Sequence, residues 1–202
     1  KSIIAIDTAA RSVIKTIALT HVSDRLAIHP DGTRLYSLSH GSGKVYIIDA
    51  ATGEVVKSHA LIEQGAPADI VLDAPGERLY VTLGHLTTTS LAVLDTATND
   101  ISFPEISFEG LPQALALHPA AQQLFVTTEP PQASSCTEIF GKVYVVDTNG
   151  LKLTSILVVK GVVADILVTK SGWLFGMNKQ TNHLELLDKN GQFLSRFPMT
   201  VL

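Results

Sequence analysis

The sequence predicts an all-β fold made of repeated units of four short antiparallel strands, and three observations support this fold class. Five aliphatic or β-branched runs each end in Asp, and a turn follows each of these residues. No segment has the sustained apolar period and the caps of a helix. The five runs end at Asp7, Asp49, Asp95, Asp147 and Asp188, which are 42, 46, 52 and 41 residues apart.

The turns and a second repeated column divide each unit into strands. An Asp that opens a turn accepts a hydrogen bond from a backbone N–H two residues on, and Asn or Gly tolerates the positive φ of a tight hairpin. This second column is a segment that recurs in four units. It consists of a short apolar strand, a turn and a second strand that begins with Leu and an aromatic residue. Its copies are Leu26 to Tyr36, Ile70 to Tyr80, Leu115 to Phe125 and Ile166 to Phe175. Each unit therefore has an inner, a second, a third and an outer strand.

Four strands in roughly 40–45 residues form the blade of a β-propeller. We expect about four full blades and a partial one, with the partial blade at 1–20 and the blades at 21–62, 63–108, 109–159 and 160–202. The partial blade carries only a third and an outer strand. Because an open arc would expose an apolar face at each end, we expect this domain to be a segment of a larger propeller of six to eight blades.

The second strands carry a family resemblance. Tyr36-Ser37-Leu38-Ser39, Tyr80-Val81-Thr82-Leu83, Phe125-Val126-Thr127-Thr128 and Phe175-Gly176-Met177-Asn178 resemble the Tyr-Val-Thr-Asn signature of the YVTN family of β-propeller repeats. The sequences at 29–36 and 45–53 also fit this family, and the resemblance covers nearly the whole chain. It implies a periplasmic, exported or cell-surface protein. The chain is also similar to the propeller subunits of some quinoprotein dehydrogenases and haem-binding nitrite reductases. The tryptophan–aspartate repeats are a worse match, because their Gly-His and Trp-Asp pairs are missing.

Composition limits the function classes. Hydrophobic residues make up 46% of the chain and charged residues 17%, which is too apolar for a disordered chain. No apolar stretch reaches the roughly 18 residues of a membrane helix, so we expect no membrane insertion. The net charge is −4 and the basic residues are scattered, which disfavours nucleic-acid binding because that requires clustered Lys and Arg. Cys136 is the only cysteine and cannot form an internal disulfide.

The candidate ligand-binding residues lie where loops enter the inner strands, at the mouth of the central channel of a propeller. They are Asp24, Arg25, Asp69, Gln113 and Asp165. Polar groups that converge on the axis could hold a cation, a sugar or a peptide. The alternative is that they solvate a water-filled channel and cap loop N–H groups. No phosphate loop, nucleophile elbow or spaced acid pair predicts catalytic residues.

Other features have weaker functional interpretations. His40 and His85 lie in equivalent loops of adjacent units and could ligate a metal or haem, but no third ligand accompanies them. We therefore predict no metal site. The loop from Glu129 to Phe140 is an insertion that could carry function, with Cys136 as a reactive thiol, or could be a variable loop. The repeated aspartates lie a whole blade apart, which is too far to share a calcium ion.

Together these observations predict a non-catalytic binding or scaffold module of a surface or periplasmic protein or of a larger assembly. We expect no cofactor, and we expect a protein partner or the remainder of the same chain to contact this segment. The alternative function is a propeller subunit of a quinoprotein or haem-type redox enzyme. A third possibility is a lactonase-like hydrolase, which would need a metal held by several channel residues.

Overall fold

The repeated strands fold as separate antiparallel sheets. A computed structural model describes residues 1–73, 75–118, 120, 122–130, 140–188 and 193–199. The partial blade consists of β1 (Ser2–Asp7) and β2 (Ser12–Ala18). The first blade consists of β3 (Arg25–Ile28), β4 (Arg34–Ser39), β5 (Lys44–Asp49) and β6 (Val55–Ala60). A 3-10 turn, Ile62–Gln64, leads to the second blade.

The remaining blades repeat this order with one variation. The second blade consists of β7 (Ala66–Leu72), β8 (Arg78–Gly84), β9 (Thr88–Asp95) and an outer strand split into β10 (Ile101–Ser102) and β11 (Ser107–Glu109), both paired with β9. The third blade consists of β12 (Leu111–Leu117), β13 (Gln123–Glu129), β14 (Phe140–Asp147) and β15 (Lys152–Lys160). The fourth consists of β16 (Val163–Val168), β17 (Leu174–Asn178), β18 (His183–Leu187) and β19 (Phe193–Pro198). In every blade the paired strands run antiparallel.

The repeated aspartates shape the turns between third and outer strands. The Asp49 carboxylate accepts the Thr52 N–H at 2.7 Å, and the Asp147 carboxylate accepts the Gly150 N–H at 2.8 Å. Asp7 and Asp95 make the same kind of contact. These carboxylates serve their own turns, as the sequence pattern predicts. A register shift accompanies the turn, for example between Ile47 and Ile48.

The core lies between blades, where one sheet packs on the next. Tyr36 is fully buried in a cluster shared by the first and second blades. Tyr80 occupies the equivalent position between the second and third blades, and Phe125 occupies it between the third and fourth. The aromatic residue at the third position of each of these second strands therefore faces the following blade. Burying such a side chain stabilises the fold by about 1.5–3 kcal/mol.

The inner strands β3, β7, β12 and β16 pack side by side, which places them along one axis. The loops that enter these strands lie at the same end as the loops between second and third strands, as the bond from the His40 N–H to Asp24 illustrates. We call this end the upper face. The lower face carries the other turns, where Thr96 bonds to the Gly76 carbonyl. Among the described residues, no helix has the length and apolar character needed to cross a membrane.

Both ends of the blade series expose apolar side chains. Ile3 of the partial blade packs towards the first blade, whereas Ile4 and Ile6 are 53% and 60% exposed. Since successive residues of a strand point to opposite faces, Ile4 and Ile6 lie on the face turned away from the first blade. On the fourth blade, Leu167 and Phe197 are also exposed.

Candidate functional site

Asp69 is the centre of a hydrogen-bond network at the channel mouth. Its carboxylate accepts the Arg25 Nε–H at 3.0 Å, the Ile70 N–H at 3.0 Å and the Leu115 N–H at 2.9 Å. Arg25 belongs to the first blade and Leu115 to the third, so one side chain ties three inner strands together. The Asp69 N–H in turn donates to Thr82 Oγ1 at 3.1 Å.

Burial and hydrogen bonding act in opposite directions on this carboxylate. Its side chain is 13% exposed, and desolvation raises the pKa of Asp69 above its ordinary value. The N–H groups of Leu115 and Ile70 oppose this shift, as does the charge of Arg25. The Arg25 side chain is 49% exposed, so solvent screens much of its pairing with Asp69.

Asp24 joins the same network through its neighbours. Its carboxylate accepts the His40 N–H at 2.8 Å, and its backbone carbonyl accepts the Arg25 Nη1–H at 3.1 Å. The His40 Nε2–H donates to the Ala68 carbonyl at 2.7 Å. Asp24, Arg25 and Asp69 are thus brought together, and His40 links the loop of the first blade to the inner strand of the second.

Gln113 and Asp165 lie in other contacts. The Lys179 ammonium donates to Gln113 Oε1 at 3.1 Å and to Glu129 Oε2 at 2.6 Å. This second network joins the third and fourth blades. Asp165 accepts the N–H of the following residue, Ile166, at 2.9 Å, which repeats the contact between Asp69 and Ile70.

Sequence reasoning missed the pairing of Lys179 with Glu129 and the role of Leu115. The sequence did contain one sign of the role of Leu115. Ala114 occupies the repeat position that Asp69 and Asp165 hold in their blades, so the third blade lacks a carboxylate for the N–H that follows. Asp69 of the preceding blade supplies that acceptor.

The remaining sequence candidates make local contacts or lie outside the described residues. The His85 Nε2 atom lies 3.1 Å from Ser90 Oγ. Within the described part of the chain, no group of three or more His, Cys, Asp or Glu side chains is placed to hold a metal ion. Cys136 and most of the loop between Glu129 and Phe140 fall in 131–139, outside the described residues.

The upper face also presents apolar side chains that the sequence analysis did not single out. Ile62 is 57% exposed, Leu86 is 93% exposed and Leu111 is 37% exposed. We call these three residues the apolar rim. The segments that carry Leu86 and Leu111 are neighbours, since the Gly110 N–H donates to the Thr87 carbonyl at 2.8 Å. The turn of Ile62 leads into Gly65, where a Cβ atom would lie 3.1 Å from His85 Cε1. In the sequence, Leu86 stands between His85 and Thr87 in an otherwise polar loop. An apolar residue in such a loop is the sequence feature that could have pointed to the apolar rim.

Two clefts open on the lower face, between the first and second blades and between the second and third. Their volumes are about 490 and 290 Å³, and both are lined by Glu77 and Arg78. Arg34 donates to the Thr96 carbonyl at 2.5 Å, and Arg78 donates to the Thr148 carbonyl at 3.0 Å. These equivalent arginines therefore hold each blade to the turn of the next.

Comparisons with known proteins identify the fold. No family model and no curated protein matches the chain. The WD40 repeats of RRP9 are 11% identical, with a TM-score of 0.69 over 90% of this chain and 52% of that one. Sqt1 of Chaetomium thermophilum is 16% identical, with a TM-score of 0.69 over 98% of this chain and 54% of that one. A gluconolactonase from Xanthomonas campestris is 18% identical, with a TM-score of 0.63 over 87% of this chain and 62% of that one.

These likenesses confirm the predicted all-β propeller of four-stranded antiparallel blades. The chain spans 52% to 62% of the length of these three structures. They include repeats of the WD40 class and an enzyme, so the shared fold does not assign a function.

Proposed function

We propose that this chain is a non-catalytic β-propeller module that binds a protein segment on its upper face. The apolar rim of Ile62, Leu86 and Leu111 is the observation that carries the proposal. Large apolar side chains on loops of a rigid scaffold are typical of surfaces that bind other proteins. Leu86 is almost fully exposed, so contact with a partner would remove more apolar surface from water there than elsewhere on the rim.

The polar residues at the mouth support this role by fixing the rim. Asp69 joins the inner strands of three blades, and Lys179 joins the third blade to the fourth. Loops held in one arrangement lose little conformational entropy on binding. The half-exposed Arg25 and the carboxylate of Asp165 would contribute polar contacts to a bound segment, as predicted from the sequence.

We extend the proposal to the two ends of the blade series. Ile4 and Ile6 at one end and Leu167 and Phe197 at the other are exposed apolar residues on sheet faces or edges. Further blades, from the same chain or from a protein partner, would cover them. This would make the domain part of a propeller of six to eight blades. A stable monomer of 21.6 kDa in native mass spectrometry would contradict that extension.

The YVTN resemblance supports a location for such a module. We propose that the chain is a YVTN-type propeller segment of the periplasm or the cell surface. Fractionation of the native host, followed by detection of the protein with an antibody, tests the location. Recovery with the cytoplasmic markers would contradict it.

The binding proposal is tested by cross-linking mass spectrometry in the native host. We expect wild-type protein to cross-link to one partner through residues beside the apolar rim. A Leu86→Asp variant should lose that partner, because a carboxylate would replace the exposed apolar contact. A Trp173→Asp variant is the matched control, since Trp173 is exposed on the lower face outside a strand, and it should keep the partner.

Three results would contradict the proposed function. If the Leu86→Asp variant keeps the partner, the apolar rim is not part of the interface. Loss of the partner by both variants would point to a general effect of the added charge. A haem or quinone absorption band in the purified protein would favour the redox-subunit alternative.

A further inference from the structure

A cleft between the outer strands of the third and fourth blades contains a buried carboxylate with an unpaired oxygen. The cleft has a volume of about 340 Å³ and is lined by Val158, Val159, Lys160, Glu185, Leu187, Phe193 and Arg196. Glu185 is 1% exposed. Its Oε1 atom accepts hydrogen bonds from Arg196 Nη2 at 2.7 Å and from Asn178 Nδ2 at 3.2 Å. Among the residues that the structure describes, none donates a hydrogen bond to its Oε2 atom.

An unpaired buried acceptor costs free energy, so the absence of a donor at Oε2 needs an explanation. The walls around Glu185 combine apolar and charged groups. Val159 and Leu187 are buried, and Phe193 lies on the exposed outer strand with the Arg196 guanidinium 5.5 Å from its ring centroid. Phe193 and Arg196 are both substantially exposed, so this side of the cleft is accessible from solvent.

The equivalent position in two other blades indicates what such a space accommodates. Tyr46 and Tyr144 occupy the repeat position of Glu185, because each lies opposite the second-strand residue that matches Gly176. The Tyr144 hydroxyl lies 3.2 Å from the Glu109 carbonyl of the preceding blade. The corresponding space between the second and third blades is thus filled by the phenol ring of Tyr144, whose hydroxyl group is hydrogen-bonded to the Glu109 carbonyl.

The charges that line the cleft favour an uncharged ligand that can donate a hydrogen bond. Lys160 and Arg196 both line it, which disfavours a second cation. The Glu185 carboxylate disfavours an anion and requires a hydrogen-bond donor. The volume lies at the lower end of the roughly 300–1,000 Å³ range of ligand sites, which suits a single ring.

We propose that this cleft binds a neutral phenol-type group, whose ring packs between Val159, Leu187 and Phe193 and whose hydroxyl donates to Glu185 Oε2. The group could be a free phenol or a tyrosine side chain of a peptide. This inference is independent of the proposed function of the upper face. It concerns a different edge of the molecule and does not depend on the apolar rim.

Isothermal titration with p-cresol tests the site, with 4-methylanisole as the analogue that lacks the donor. We expect saturable binding of p-cresol and at least about tenfold weaker binding of 4-methylanisole, since a hydrogen bond to a charged acceptor contributes that much to an equilibrium constant. N-acetyltyrosinamide separates the two sources. Binding of both p-cresol and this compound indicates a tyrosine-accepting site, and binding of p-cresol alone indicates a free phenol.

Variants on the fourth blade test the role of Glu185. Glu185→Gln replaces one acceptor oxygen by a donor and should weaken p-cresol binding about tenfold. Glu185→Tyr should abolish it by filling the cleft. If that variant does not fold, Phe193→Ala removes one exposed wall and should also weaken binding. Leu194→Ala is the matched control, because Leu194 is an exposed neighbour on the same strand that does not line the cleft.

The proposal fails if p-cresol shows no saturable binding to the wild-type protein. It also fails if 4-methylanisole binds as tightly, because the hydroxyl donor would then play no part. If the Glu185→Gln variant and the Phe193→Ala variant both bind p-cresol as tightly as the wild-type protein, the p-cresol site lies elsewhere on the molecule, and the proposal also fails.

Discussion

Replacing Asp69 by Ala tests whether one carboxylate joins three blades. The substitution removes the acceptor of the Ile70 and Leu115 N–H groups and of the Arg25 guanidinium. The first two donors lie in buried surroundings, where water does not readily replace the lost acceptor. The third donor belongs to a half-exposed side chain that water can solvate.

The expected magnitude follows from these three bonds. A buried N–H left without a partner costs about 1–3 kcal/mol, and the exposed ion pair adds at most about 1 kcal/mol. We therefore expect Asp69→Ala to lower the free energy of unfolding by about 2–7 kcal/mol, centred near 4 kcal/mol. That is a large share of the roughly 5–15 kcal/mol that stabilises a domain.

Asp165→Ala is the matched control. Asp165 occupies the same repeat position, and its carboxylate accepts the N–H of the next residue, Ile166. Its removal should cost about 1–2 kcal/mol. Urea unfolding followed by circular dichroism measures both variants on the same scale. Equal losses in the two variants would refute the reasoning, because the bonds to Arg25 and Leu115 would then contribute nothing.

Three further predictions concern single positions. Gly110→Ala should destabilise the fold by about 2–4 kcal/mol in urea unfolding, because φ is +99° and a Cβ would lie 2.5 Å from the Glu129 carbonyl oxygen. Gly41→Ala, with no atom within 4 Å of the new Cβ, should be nearly neutral. Burial, assisted by the charge of Lys1, lowers the pKa of His21 below 6.5. The neutral ring is favoured in the fold, so stability should decline as the pH falls below that value. The Thr33 N–H lowers the pKa of Asp31 to about 2, which an NMR titration of the carboxyl carbon should reproduce.

Each of these expectations has a contrary result. Equal stability of the two glycine variants would contradict the close approach at Gly110. A His21 ring that titrates at or above 6.5 in NMR would contradict its burial. An Asp31 carboxyl that titrates near its ordinary value of 3.8 would show that its turn is not formed in solution.

The fold was predictable because it is repeated and locally encoded. The Asp-led turns recur every 41 to 52 residues, and each carboxylate serves a donor within its own turn, as at Asp49 and Asp147. The Leu-aromatic entry to each second strand likewise marked residues that are buried between blades, such as Tyr36 and Tyr80. Such contacts depend on residues close in sequence or on one sheet.

The contacts at the channel mouth depend instead on how one blade is placed against the next. Asp69 meets Leu115 across 46 residues, and Lys179 meets Glu129 across 50. The repeats place Arg25 and Asp69 at the entrances of neighbouring inner strands. They do not fix the rotation of one blade relative to the next, so the pairing of these two side chains was not predicted. The outer strand of the second blade was also unexpected, since it divides into β10 and β11.

One repeat position shows how similar blades come to have different interfaces. Tyr46 stacks on His21, with ring centroids 3.6 Å apart, and Tyr144 packs on Phe108 of β11 at 5.0 Å. In both cases the tyrosine meets an aromatic residue that precedes the inner strand of its own blade. Glu185 meets Arg196 of its own blade instead, and no described residue donates a hydrogen bond to its second oxygen. The strands of these blades are therefore alike. The space beside this third-strand position is filled to a different extent in each blade, because the element packed against it differs. Where the neighbour supplies no ring, a cleft with a defined hydrogen-bonding requirement is left, and that requirement is what makes the third–fourth interface open to a ligand.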